Sequence, residues 1–180
     1  TTAMIKADDG NSYSVDFFRV EGGNDHHFSF HSNAATVTTE GLNLDAQVDS
    51  SGNYVGTYAG PEVPFMQVPA GENASGSDYT GPGFHYLRNQ KNDTDVLLRL
   101  TMLGEYNDAA LTIGEPPLNN ASNPRELNYL VVHRQGTDID SLFTSVIEPY
   151  KGERYIQSIS EASLTAKGQP VTGDVNVRAV

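Results

Sequence analysis

Three of the chain's five histidines, His26, His27 and His31, fall in residues 16–32, Asp-Phe-Phe-Arg-Val-Glu-Gly-Gly-Asn-Asp-His-His-Phe-Ser-Phe-His-Ser. Histidine can move a proton near neutral pH, ligate a metal, or donate to a glycan hydroxyl. Spacing separates these uses. Neighbouring side chains on a strand point to opposite faces, so His26 and His27 cannot easily share one ion. His27 and His31 share a face but stand about 13 Å apart on a straight strand. A metal would need a ligand from elsewhere, for example His85, Asp25 or His133. The residues alone therefore assign no metal site and no catalytic group, and locally bonded turn histidines are the simpler reading. His26, His27, His31, Arg134 and Tyr150 are the candidates for contact with a substrate.

Arg19 and Arg134 interrupt apolar strand patterns, where an arginine usually snorkels or pairs with a carboxylate such as Asp16 or Glu148. Contact with a uronate is the functional counterpart. Glu148 precedes Pro149 and Tyr150 at a strand end, and a structural hydrogen bond is the expected use of its carboxylate. Tyr54, Tyr58 and Tyr79 could stack on sugars, although packing is the default for loop aromatics. Residues 8–12 and 45–53 are oxygen-rich without the spacing of a calcium loop. No phosphate loop or serine-nucleophile elbow is present.

Strands must position these groups. Tyr13, Val15 and Phe17 alternate with Ser14 and Asp16, and Phe28 and Phe30 flank Ser29. Residues 22–25 supply the turn that would join the two runs as a hairpin. Residues 96–103 read as a central strand covered on both faces. Further strands are expected at 109–113, 127–134, 142–147, 155–164 and 171–180, with turn residues at the spacing of an antiparallel β-sandwich. No long amphipathic helix is expected. The chain reads as one all-β domain, with a Gly/Ser/Asn/Pro-rich insertion at 45–83 and a polar connection at 116–124. Alternation continues to Val180, as in a piece of a longer protein.

The 23 acidic and 11 basic residues of the 180 give a formal charge of −12. Such a field repels nucleic acid and gives little long-range attraction to a polyanionic glycan. Without cysteine the chain forms no disulfide and no thiolate zinc site. No apolar run has the roughly 20 residues of a membrane helix, and any export signal would have to lie upstream of this segment. The composition suits a secreted or periplasmic protein.

Residues 16–32, followed in order by Leu-Asn-Tyr-Leu-Val-Val-His-Arg-Gln-Gly at 127–136 and Ser-Leu-Phe-Thr-Ser-Val-Ile-Glu-Pro-Tyr at 141–150, resemble the C-terminal β-sandwich region of the bacterial heparinase II/III-like polysaccharide lyases. The resemblance runs from about residue 12 to about 165 and is poor in the 45–83 insertion. It implies a part of an enzyme that cleaves uronate-containing polysaccharides by β-elimination. That chemistry neutralises a carboxylate, removes the C5 proton and protonates the leaving oxygen.

Most of those groups come from an α-helical toroid preceding the sandwich, which implies such a toroid and an acidic polysaccharide as partners. The family's sandwich adds His-x-His-x-Asp and Asn-His-Asn-Thr steps that provide a histidine and a zinc site. Neither step occurs in this chain, which argues against catalysis and against a cofactor here. The resemblance thus implies a non-catalytic accessory domain. An independent carbohydrate-binding module is the competing class, and a self-sufficient lyase using His26, His27 and His31 is the third.

Overall fold

The computed structural model describes residues 1–32, 36–40, 45–46, 49–51, 66–67, 76–80, 96–104, 106–114, 127–160, 162–171 and 180. The 116–124 connection, most of the 45–83 insertion, His85 and the strand expected at 171–180 lie outside them, apart from Val171 and Val180. The described residues form an all-β structure of antiparallel strands without a helix. Among the described residues, therefore, no helix is long and apolar enough to cross a membrane.

The strands are β1 (Thr2–Lys6), β2 (Ser12–Glu21), β3 (Asp25–Ser32), β4 (Thr36–Glu40), β5 (Asp45–Ala46), β6 (Met66–Gln67), β7 (Gly76–Thr80), β8 (Val96–Leu103), β9 (Asp108–Gly114), β10 (Leu127–Gln135), β11 (Asp140–Lys151), β12 (Thr165–Ala166) and β13 (Gln169–Pro170). One sheet has the order β1-β2-β11-β8-β7-β4 and a second the order β3-β10-β9. Strands β5 and β6 form a short pair, as do β12 and β13.

The turn at 22–24 does not close a hairpin. It carries the chain from β2 in the large sheet to β3 in the small one, and both Gly22 (φ 70°) and Gly23 (φ 100°) adopt left-handed backbone there. The same passage between sheets occurs from β8 to β9 and, through residues 136–139, from β10 to β11. The order β2-β11-β8 is thus matched by β3-β10-β9. Each connection is an arch between sheets, because β11 and β10 supply the ladders that a hairpin would have closed locally.

The two sheets share one apolar cluster. Phe28, Leu130, Val132 and Ala109 of the small sheet are buried with Leu100, Met102 and Phe143 of the large one. The rings of Phe18, Phe28 and Phe143 lie with centroids 5.9–6.4 Å apart. The two-residue period of β3 and β10 puts these side chains on one face and the odd-numbered ones on the other.

The described residues of Tyr155 to Leu164, expected as a strand, form none. The backbone N–H groups of Tyr155 and Ile156 instead donate to the carboxylate of Glu148, at 3.2 and 2.9 Å. Arg154 donates to the same carboxylate, through Nε at 2.9 Å and Nη2 at 2.8 Å. Glu148 is fully buried, so a set of donors replaces the water its charge would otherwise require.

Candidate functional site

The three arches meet at one end of the small sheet. Gly136 donates its N–H to the Asn24 carbonyl at 3.0 Å, and Ile139 to that of Gly23 at 2.8 Å. Asp138 donates its backbone N–H to the Asn24 side chain, and Gly22 to the Asp140 carboxylate. Asn107 bridges to β10, donating its N–H to the His133 carbonyl and accepting from the Gln135 N–H. These bonds set the position of the first residues of β3 and β9 and the last of β10.

Side chains from all three strands converge on the outward face at that end. Register places His27 opposite His133, and His133 opposite Asp108, in one row across the sheet. Asp25 projects from the same face, two residues before His27. His133 Nε2 donates to Asp25 Oδ1 at 2.7 Å, and its Nδ1 donates to Asp108 Oδ2 at 3.0 Å. His27 Nδ1 is 3.4 Å from the same Asp25 oxygen. The two imidazoles stack in parallel, with centroids 4.4 Å apart and 4° between their planes.

The histidines are driven in opposite directions. Burial disfavours the charged form of His133, but the hydrogen bonds and charges of Asp108 and Asp25 outweigh it and raise its pKa above the ordinary 6.5. Burial and the neighbouring His133 lower the pKa of His27, and the opposing pull of Asp25 and Asp108 does not compensate. The side chain of His133 is 12% exposed against 37% for His27, so the inner ring is held and the outer one faces solvent.

The five residues singled out for substrate contact do not converge. His26 is buried, with Nε2 donating to the Gly22 carbonyl at 2.7 Å and Nδ1 beside the Ser141 hydroxyl at 2.9 Å. Arg134 lies opposite His26 on that inward face. Tyr150 is buried in the large sheet, opposite Leu97. His27 and His31 share the outward face, but His31 stacks on Tyr129 at 5.0 Å, two rows from the cluster. Between those rows Val131 and Ala110 are buried.

Two partners escaped the sequence reading. Asp108 opens β9, and only the register of that strand against β10 places it beside His133. Arg154 follows a turn after β11 and gave no periodic signal. Arg19 pairs with Glu21 rather than with Asp16. Compared with family models, curated proteins and solved structures, the chain matches none.

Proposed function

We propose that this chain is a non-catalytic accessory β-sandwich domain of a secreted or periplasmic heparinase II/III-like lyase of uronate polysaccharides, serving to buttress an α-helical catalytic toroid. One observation carries the reading. The two segments bearing the resemblance, 16–32 and 127–150, are far apart in sequence yet pair with each other twice, β2 with β11 and β3 with β10. The motif residues thus form one contiguous unit spanning both sheets, as an inherited structural core would. The shared apolar cluster supports the sandwich arrangement.

The accessory role is favoured over a self-sufficient lyase by where the histidines point. His26 is committed to Ser141 and Gly22, His31 to Tyr129, and Tyr150 is buried in the other sheet. β-Elimination needs a base and an acid around one sugar, whereas His26 faces inward and His27 and His31 stand two rows apart on the outward face.

The purified chain tests the reading when incubated with heparin-like and alginate-like polysaccharides while absorbance near 232 nm follows unsaturated uronate. No turnover is expected. Supplying the helical domain of the same lyase with and without this chain is then expected to show a more heat-stable enzyme with it. Turnover by the chain alone, abolished in His27→Ala or His31→Ala, would overturn the accessory role.

A further inference from the structure

We infer that the arch end of the small sheet is a binding site for a divalent transition ion of the zinc class. Asp25, His27 and His133 are its ligands, and Asp108 positions His133. The carboxylate oxygen and the two ring nitrogens already lie within 4.8 Å of one another. In a tetrahedral zinc site, bonds of about 2.0–2.2 Å put ligand atoms about 3.3–3.6 Å apart. The 3.4 Å between Asp25 and His27 lies in that range, and the 2.7 Å hydrogen bond between Asp25 and His133 opens towards it when a metal replaces the proton. Two imidazoles with one carboxylate suit zinc and its first-row neighbours; calcium and magnesium prefer an all-oxygen shell.

Asp108 supplies the outer half of the arrangement. Its carboxylate accepts from His133 Nδ1, which leaves Nε2 as the ligating nitrogen once a metal replaces the proton there. The three strands hold this carboxylate–histidine pair through the β9–β10 ladder and the Asn107 bridge. Asp25 and His27 are the exposed members, so an ion enters from solvent and the fourth position is left for water.

The ring stack specifies a movement. A ligated metal lies close to the plane of each imidazole, and two parallel stacked planes share no such point. His133 is fixed by Asp108, so His27 must turn out of the stack on loading. His26, on the inward face, takes no part.

The test is calorimetric titration of the chelator-stripped 180-residue chain with zinc chloride near neutral pH, with the fold checked by circular dichroism. One equivalent is expected, with a dissociation constant of micromolar or below and a rise in melting temperature on loading. His27→Ala, an exposed position, is expected to weaken binding at least tenfold with its fold intact. Asp108→Asn is expected to weaken it about 10–100-fold, and His31→Ala to leave it unchanged. Long-range proton–nitrogen spectra are expected to show His27 Nδ1 and His133 Nε2 shifting together. Absence of saturable uptake, full affinity in His27→Ala, loss in His31→Ala, or an equal response to calcium would each overturn the site.

Discussion

Two clusters of charge in this molecule are built from similar groups and finished in different ways. Around Glu148 the carboxylate is fully buried and receives two backbone N–H groups and two Arg154 nitrogens. Around His133 the partners are side chains, Asp25 and Asp108, and the outer members face water. Backbone donors cannot leave without unmaking the fold, so the first cluster is a clamp that fixes the chain after β11. Side chains at a sheet end can exchange a proton or a metal while the ladders stay closed. The difference lies in what supplies the hydrogen bonds more than in the charges themselves.

The largest effect is expected at Glu148. Glu148→Ala strands Arg154 and two backbone donors, and a loss of about 3–5 kcal/mol is expected in urea unfolding. A loss below about 1 kcal/mol would mean that water or another group replaces the clamp. Zinc is expected to leave the unfolding of this variant no less responsive than wild type, because the two clusters are separate.

A smaller effect separates the adjacent histidines. His26→Ala removes a buried ring bonded at both nitrogens, with an expected cost of about 1–3 kcal/mol. His27→Ala, on the outward face, is expected to change metal-free stability by no more than about 0.5 kcal/mol. Equal costs for the two would show that the outward row is structural as well.

The smallest effect concerns a third pair. Arg99 is buried and donates from Nη2 to Glu40 Oε2 at 2.7 Å, while Glu40 is largely exposed. The hydrogen bond and charge of Arg99 hold the Glu40 pKa below its ordinary 4.5. A depressed carboxylate stabilises above the unfolded value and loses that contribution as pH falls through the folded one. Solvent screening limits it to at most about 1 kcal/mol. Unfolding of wild type and Glu40→Gln is expected to differ at pH 7 and to converge as pH falls through the depressed Glu40 value; a constant gap would remove the pair from the pH dependence.

Much of the strand content is legible in the sequence, because alternation directly reports a face. Phe28 and Phe30 around Ser29, and the apolar run of β8 with Arg99 inside it, lead straight to the observed strands. The sheet to which each strand belongs is harder to read, since Gly22-Gly23 suits a hairpin and an arch equally well. The strand reading of 155–164 fails at its start, where the buried Glu148 carboxylate takes the N–H groups of Tyr155 and Ile156. At the candidate site His27 is legible as a residue of interest, with His85, Asp25 or His133 as examples of a further ligand. Asp108 is not, because its role exists only in the register between β9 and β10.

The paired arches also constrain how the chain acquires its shape. β3 is held in its sheet by β10, and the inner edge of β2 by β11, so segments near the start wait for residues 127–151. Contacts of such sequence separation slow folding. During synthesis, a nascent chain that ends before β10 carries two apolar strands whose main-chain groups on those edges have no ladder to join. Such an intermediate is prone to associate with its neighbours. Its yield in the cell then depends on how quickly the second half follows the first from the ribosome.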